Sequence, residues 1–116
     1  PSTTLFRSVV RGKRVDKRVR FIVTPASQAV YRAASEAGII STLANAGVVV
    51  TNATCGACGG THMGVLGENE TCITSSTRNF KGRMGETSAR IFMGSPATVA
   101  ASAVRGVITD PREFLQ

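Results

Sequence analysis

The first half of the chain alternates a short apolar run with a helical pattern. Residues 19–23 are mostly apolar and rich in β-branched side chains, which predicts a buried strand. Across residues 27–37 the apolar positions recur at helical spacing, with Pro25 expected in the first turn and Gly38 at the end. The pattern therefore predicts a strand followed directly by a helix.

A second strand follows after a second, shorter helix. Residues 40–46 have a helical pattern that stops at Gly47, and residues 48–51 form another apolar run. Strands that alternate with helices in this way are typical of parallel sheets, because the helix carries the chain back across the sheet.

The second half of the chain also combines predicted strands with a predicted helix, but the strands and helices do not alternate as regularly as in the first half. Strands are predicted over 70–75 and 90–93, separated by a polar loop over 76–86. Ser95 then provides an N-cap, Pro96 the first helical position, and the small residues that follow continue a helix to a stop near Gly106. The ordered pattern is expected to end at residues 110–111.

These elements predict an α/β fold with a mostly parallel sheet. The length of 116 residues suits a single domain, and a content of 42% hydrophobic but 5% aromatic residues requires a core of aliphatic side chains. No run approaches the ~20 apolar residues of a membrane helix, so a membrane protein is excluded.

The positive charge is concentrated in one segment. Residues 7–20 carry seven cations against one carboxylate, Asp16, for a local charge of +6, while the rest of the chain nets +1. Such a run usually forms a solvated face, and less often a phosphate-binding arm. No aromatic residue alternates with these cations to stack on bases, so nucleic acid is not the expected partner.

Three cysteines do not make a disulfide framework in a chain of this length. A reducing compartment is therefore expected. The start of the chain has no secretory signal pattern, so the predicted location is cytoplasmic.

The pair Cys55 and Cys58 is the sharpest chemical feature, but its spacing leaves several interpretations open. A zinc site would need two more ligands, for which only His62 and Cys72 are candidates. A redox dithiol is usually placed at the start of a helix, and Gly59 and Gly60, which follow the pair directly, disfavour a helix there. An iron–sulfur cluster suits thiolates on a glycine-rich loop, and two cysteines without any ligand remain the structural alternative.

Arg78 and Arg83 form a second candidate site. Arginines bind carboxylates through paired, charge-assisted hydrogen bonds. Residues five apart diverge by ~140° on a helix and point to opposite faces of a strand, so convergence requires a turn, which Gly82 permits. The alternative interpretation is an exposed basic loop.

Four motifs in order resemble those of the aconitase superfamily over about residues 9–110. They are the glycine-rich Cys55-x-x-Cys58, then Gly-Glu-Asn-Glu-Thr-Cys over 67–72, Ser-Ser-Thr-Arg-Asn-Phe-Lys-Gly-Arg-Met-Gly over 75–85, and Ser-Pro-Ala-Thr-Val-Ala-Ala-Ser-Ala-Val-Arg-Gly over 95–106. The resemblance implies the cluster-bearing third domain of that family, an α/β/α unit.

The same resemblance implies a [4Fe-4S] cluster held by three cysteines. Cys55 and Cys58 match the paired metal ligands, while the third, in an upstream Cys-Thr-Asn motif, has no counterpart here. Arg78 and Arg83 match the two arginines that bind substrate carboxylates. Thr77 occupies the position where the family usually has asparagine, and the resemblance assigns it only as a neighbour of the cluster.

The implied activity is that of a hydro-lyase acting on a hydroxy-dicarboxylic or tricarboxylic acid. The family's catalytic base is a serine on a separate swivelling domain, often a small subunit, so no catalytic residue is assigned in this chain. Residues 9–116 are therefore expected to be a fragment of a larger subunit, inactive alone and with exposed apolar surface. Residues 1–8 match nothing in the family and are interpreted as a segment of foreign origin.

Two hypotheses from other classes compete with this one. In the first, a small nucleic-acid-binding module uses residues 7–20 on phosphates and holds zinc at the cysteine pair. In the second, a thiol oxidoreductase uses a reversible Cys55–Cys58 disulfide. Neither hypothesis explains the segment from Arg78 to Arg83 or the capped helix after Ser95.

Overall fold

Two pairs of parallel strands organise the chain. The computed structural model describes residues 7–61, 63–78 and 80–114. In the described part of the chain, strands β1 (Ile22–Val23) and β2 (Val49–Val50) form one pair, and β3 (Thr71–Thr74) and β4 (Arg90–Met93) form the other. Both pairs are parallel. The predicted α/β class with parallel strands is confirmed.

The first two strands are shorter than their apolar runs. The run at 19–23 begins in a turn, because the Val19 amide donates to the Asp16 carbonyl at 2.9 Å. Similarly, the Val48 amide donates to the Leu43 carbonyl at 3.1 Å and so belongs to a helix end rather than to β2. Only Ile22–Val23 and Val49–Val50 are left to pair.

Helices α1 (Gln28–Glu36) and α2 (Ile39–Asn45) connect β1 to β2 as predicted. The Ser27 hydroxyl caps α1 by accepting from the Val30 amide at 3.2 Å. Since Ser27 is the N-cap, Pro25 lies before the helix and not in its first turn, which corrects the expected helix start.

Helix α3 (Pro96–Arg105) follows β4 with the predicted boundaries. The Ser95 side chain accepts from the Thr98 amide at 3.1 Å, and the Gly106 amide closes the helix on the Ser102 carbonyl at 2.8 Å. Its alanines lie at the centre of the core, where small side chains allow close packing; Ala100 and Ala101 are fully buried.

Ordered structure continues beyond residues 110–111, where it was expected to end. A 3₁₀ helix spans Pro111–Phe114, because the Asp110 carboxylate accepts from the Arg112 amide at 2.9 Å and pairs with the Arg112 guanidinium. These hydrogen bonds lower the pKa of Asp110 to about 2. The Phe114 ring lies beneath the Lys13 ammonium, 5.3 Å from its centroid.

One hydrophobic core joins the first strand pair to α2, α3 and the segment at 7–10, which is helical. Its buried members are Val9, Val10, Phe21, Leu43, Ala46, Val48, Ala100, Ala101 and Ala103. The second strand pair adds no buried residue to this cluster.

The basic segment 7–20 is partly structural. Val9 and Val10 are fully buried, and the Val15 and Asp16 amides donate to carbonyls at the ends of α2 and α3, at 2.7 and 2.9 Å. Asp16 also pairs with Arg18 at 2.9 Å. Most of the cations are exposed, as expected for a solvated face, while the apolar residues between them anchor the segment.

In the part of the chain that the structure describes, no helix is both long enough and apolar enough to cross a bilayer.

The Asp16 carboxylate should contribute stability that is lost in acid. Hydrogen bonds from the Arg18 side chain and backbone lower the pKa of Asp16 from 3.8 to about 2. A group whose pKa is lower in the folded state stabilises fully above its ordinary pKa, and the contribution disappears as the pH falls towards the folded value. We therefore expect the melting-temperature difference between the chain and Asp16→Asn to be constant above about pH 5 and to shrink towards pH 2.

Glu36→Gln is the matched control, because Glu36 is exposed and forms no ion pair with another described residue. Its effect should not follow the pH profile of Asp16→Asn. A melting-temperature difference for Asp16→Asn that persists unchanged to pH 2 contradicts the prediction.

Candidate functional site

The loop that carries the cysteine pair begins where β1 and β2 end. The hydroxyls of Thr24 and Thr51, which follow these two strands, are hydrogen-bonded to each other at 2.8 Å. Beyond them the chain is irregular over residues 52–60, and the Thr54 hydroxyl accepts from the Gly56 amide at 3.0 Å. The strand ends therefore position the loop at the carboxyl edge of the first pair, where open α/β sheets place ligand sites.

Both cysteines of this loop are free thiols. Cys55 is exposed and Cys58 is half-buried. Neither lies in a helix, so the helix start that a redox dithiol favours is absent from this described loop.

The Arg83 guanidinium reaches the cysteine loop directly. Its Nη2 donates to the Cys58 Sγ at 2.8 Å. Arg83 is held by a tight turn in which its amide donates to the Phe80 carbonyl at 3.2 Å, and its guanidinium lies 5.6 Å from the centroid of the Phe80 ring. The turn at Gly82, expected from sequence, thus brings an arginine to the thiol.

Two glycines allow close backbone contacts of the arginine turn (residues 80–85), one with the cysteine loop and one with the segment at Leu66. A Cβ on Gly60, which has a φ of +72°, would lie 2.8 Å from the Met84 carbonyl carbon. A Cβ on Gly85 would collide with the Leu66 carbonyl oxygen, and the Leu66 amide donates to the Met84 carbonyl at 2.8 Å. Only residues without a side chain fit at these two positions.

Arg78 and Thr77 are exposed, and neither forms a hydrogen bond or ion pair with another described residue. Among the described residues, the structure therefore brings Arg83, but not Arg78, into contact with Cys58. The roles of Arg78 and Thr77 stay predictions. His62, considered as a zinc ligand, lies outside the described residues.

Cys72 lies apart from the pair, in β3. It is half-buried, and burial raises the pKa of its thiol. Among the described residues, no three His, Cys, Asp or Glu side chains are grouped so that they could hold a metal ion. Cys72 is therefore not grouped with Cys55 and Cys58 as a third donor.

Sequence reasoning identified the thiols and arginines but not the parts that hold them together. Phe80, Gly60 and Gly85 were missed as functional residues. The only available signal was a glycine in each of two loops, which does not reveal which loops touch.

Comparison with known proteins identifies the family. A sequence model described as the aconitase family (aconitate hydratase) matches residues 1–106. The chain belongs to the aconitase family. The matched range includes residues 1–8, for which the motifs had suggested no counterpart.

Several curated relatives share this aconitase-family segment. The 3-isopropylmalate dehydratase large subunit of Mycolicibacterium smegmatis is 64% identical over 107 residues, covering 92% of this chain and 25% of the relative. The large subunit 2 of Archaeoglobus fulgidus is 52% identical, covering 92% and 26%, and the Campylobacter hominis large subunit is 50% identical, covering 90% and 25%. The chain spans about a quarter of the length of the curated relatives it matches.

Replacing Gly60 with alanine should separate the cysteine loop from the arginine turn. Gly12→Ala is a matched control, because Gly12 has a φ of +73° and a Cβ there would meet nothing within 4 Å. Both variants incur the left-handed backbone cost of about 1–2 kcal/mol. Because Gly60→Ala also forces two backbones apart, we expect it to lose a further ~1–3 kcal/mol of unfolding free energy, measured by urea denaturation of the chain.

If Gly60→Ala and Gly12→Ala lose the same unfolding free energy, the backbone approach of Gly60 to Met84 is not sterically constrained and the prediction is wrong. The same samples report on the site, since Gly60→Ala should also increase the accessibility of the half-buried Cys58 to a bulky maleimide. Gly12→Ala should leave that accessibility unchanged.

Proposed function

We propose that the chain is the cluster-bearing segment, residues 9–116, of the large subunit of a 3-isopropylmalate dehydratase. Such an enzyme is a hydro-lyase of leucine biosynthesis that isomerises 2-isopropylmalate and 3-isopropylmalate by removing and returning water. The observation that carries the proposal is the 2.8 Å contact between the Arg83 guanidinium and the Cys58 thiol. Guanidinium groups bind carboxylates and thiolates bind iron, so a contact between the two supports this proposal. The relatives named above are large subunits of that enzyme.

Cys55 and Cys58 would hold a [4Fe-4S] cluster as two of its thiolate ligands. Both thiols are free, on a loop without regular structure, and one is exposed, so they suit a cluster that is open to substrate. The third ligand must come from outside the described residues, which group no third donor with them. When bound, the cluster supplies a Lewis-acid iron that polarises the substrate hydroxyl.

Arg83 would bind a substrate carboxylate at the edge of the cluster. A guanidinium has five N–H donors, and one donates to Cys58, which leaves others for an incoming carboxylate. The Phe80 ring beside it limits its movement, so the donors are oriented before substrate arrives. Arg78, exposed in the same loop, would bind a second carboxylate, with Thr77 beside the cluster.

The remaining parts of the enzyme would lie outside this chain. We assign no catalytic base here, and infer that a small subunit with a swivelling domain supplies it. The cytoplasm is the proposed location, which suits three free cysteines. Homoaconitase or a methylmalate-type dehydratase is the alternative within the family, since the side group of the substrate is recognised elsewhere.

The two hypotheses from other classes receive less support. A structural zinc site needs four ligands, and Cys72, one of the two candidates for the remaining positions, is not grouped with the cysteine pair. The basic segment, proposed as a nucleic-acid arm, buries Val9 and Val10 in the core. Membership of the aconitase family favours the hydro-lyase.

The cysteine assignment can be tested in a chimera, in which this chain replaces the 107 matching residues of the Mycolicibacterium smegmatis large subunit. After anaerobic reconstitution with iron and sulfide, we expect Cys55→Ser and Cys58→Ser each to lose the visible absorbance of the cluster and the dehydration of isopropylmalate in the presence of the small subunit. Cys72→Ser is the matched control and should keep both.

Three equally impaired variants, or an unaffected Cys58→Ser, would refute this assignment. The chain alone, reconstituted and mixed with the small subunit, should show no turnover. Measurable dehydration by that mixture would contradict the proposal that the chain is one segment of a larger enzyme.

The arginine assignment predicts a loss of turnover with the cluster intact. In the chimera, Arg83→Gln and Arg78→Gln should each lower kcat/KM by about 10²-fold or more, because a positioned charged donor to the substrate is removed. Arg83→Lys should recover only part of the loss, since an ammonium cannot bind a carboxylate in bidentate fashion. Arg11→Gln, an exposed arginine in the basic segment, is the control and should have normal activity.

A further inference from the structure

A cavity of about 1060 Å³ separates the two strand pairs. Its wall contains the whole of β1 and the whole of β3, whereas β2 contributes only Val50 and β4 contributes nothing. The inner strands β1 and β3 therefore border the cavity, and β2 and β4 lie on the far sides. In the described structure β1 pairs only with β2, and β3 only with β4.

Among the described residues, the edges of β1 and β3 that border the cavity carry backbone groups with no partner in a sheet. The Val49 and Thr51 amides donate to the Phe21 and Val23 carbonyls, so alternate residues of β1 point to β2 and the Ile22 peptide groups point away from it. On β3, the Glu70 and Thr74 carbonyls accept from β4, so those of Ile73 point away. Each edge thus offers a hydrogen-bonding row to another strand.

Apolar side chains from two helices contribute to the lining of the cavity. Val30 and Ala34 of α1 line it, as do Pro96 and Val99 of α3. Val30 is 44% exposed, and α1 has no buried residue although its apolar positions share one face. A helix with an apolar face and nothing buried lacks the layer against which it should pack.

We propose that this cavity is a slot for one extended segment of the large subunit from outside this chain, which pairs with the edges of β1 and β3 and completes a single sheet. A strand packed between helices is a nearly continuous apolar run, and α1 and α3 both contribute apolar side chains to the lining of the slot. The relatives are about four times as long as the matched segment, so three quarters of such a subunit is available to supply it.

This inference rests on one part of the proposed function, that the chain is a segment of a longer subunit, and needs neither the cluster nor turnover. The experiment below therefore measures melting temperature and hydrogen exchange and not activity. Its result can refute the slot without refuting the enzymatic assignment, and the reverse also holds.

The test compares Ile73→Pro with Ile73→Ala in the chain alone and in the chimera described above. Both substitutions shorten the side chain, but only proline removes the outward N–H, and proline is tolerated on an open strand edge. In the chain alone we expect equal melting temperatures for the two variants. In the chimera, Ile73→Pro should melt clearly lower than Ile73→Ala, because a buried hydrogen bond to the inserted strand is lost.

Amide hydrogen exchange gives a second measurement on the unaltered proteins. The Ile22 and Ile73 amides should exchange at least about tenfold more slowly in the chimera than in the chain alone, while the Val49 amide, already bonded to β1, should change less. Equal melting of the two Ile73 variants in the chimera, or unprotected Ile22 and Ile73 amides there, overturns the proposal. A dimer of the chain alone that Ile73→Pro dissociates would make a second copy the occupant, and also overturns it.

Discussion

The arrangement of the site depends on the contact between the backbone of the cysteine loop and the backbone of the arginine turn. This contact is possible because Gly60 has no side chain where the Met84 backbone approaches it, and the missing side chain of Gly85 lets the same turn approach Leu66. It fixes the distance between two loops that are separated by about 25 residues, and the hydrogen bond from Arg83 to Cys58 follows from it. Without that approach, the thiols and the guanidinium would belong to independent surface loops.

The constraint also explains the chemical character of the site. The Arg83 guanidinium places positive charge beside the Cys58 thiol, at the position of the proposed cluster and of the proposed substrate carboxylate. The Phe80 ring holds the guanidinium from one side without competing for its hydrogen bonds. The site is thus organised for binding anions before any ligand is present.

The rest of the molecule has the features of an α/β unit with part of its sheet supplied from elsewhere. The first strand pair shares a core with α2 and α3, while the second pair adds no buried residue to that core. The cavity between them and the exposed apolar side of α1 have the same cause, a sheet interrupted at its centre. Val107, 64% exposed, and Ile108, 56% exposed, add further uncovered apolar surface in the described structure.

Local sequence determined the helices, the helix ends and the chemistry of the side chains. Ser27, Ser95 and Gly106 act within a few residues of their own position, so hydrophobic spacing and capping were sufficient to predict α1 and α3. Strand lengths were less predictable. The Val19 amide donates to a carbonyl in a turn and the Val48 amide to a carbonyl at a helix end, so neither residue pairs in a sheet.

Tertiary structure alone decided which loops meet. The sequence shows a cysteine pair and an arginine pair, and resemblance to a family suggested that they share a site, but spacing along the chain contains no information on the approach of Gly60 to Met84. That approach is a long-range packing of backbones, and it selected Arg83 over Arg78 as the partner of Cys58 in the described contacts. The gap between β1 and β3 could not be predicted from the sequence either, because the pairing of strands depends on neighbours that are distant in sequence.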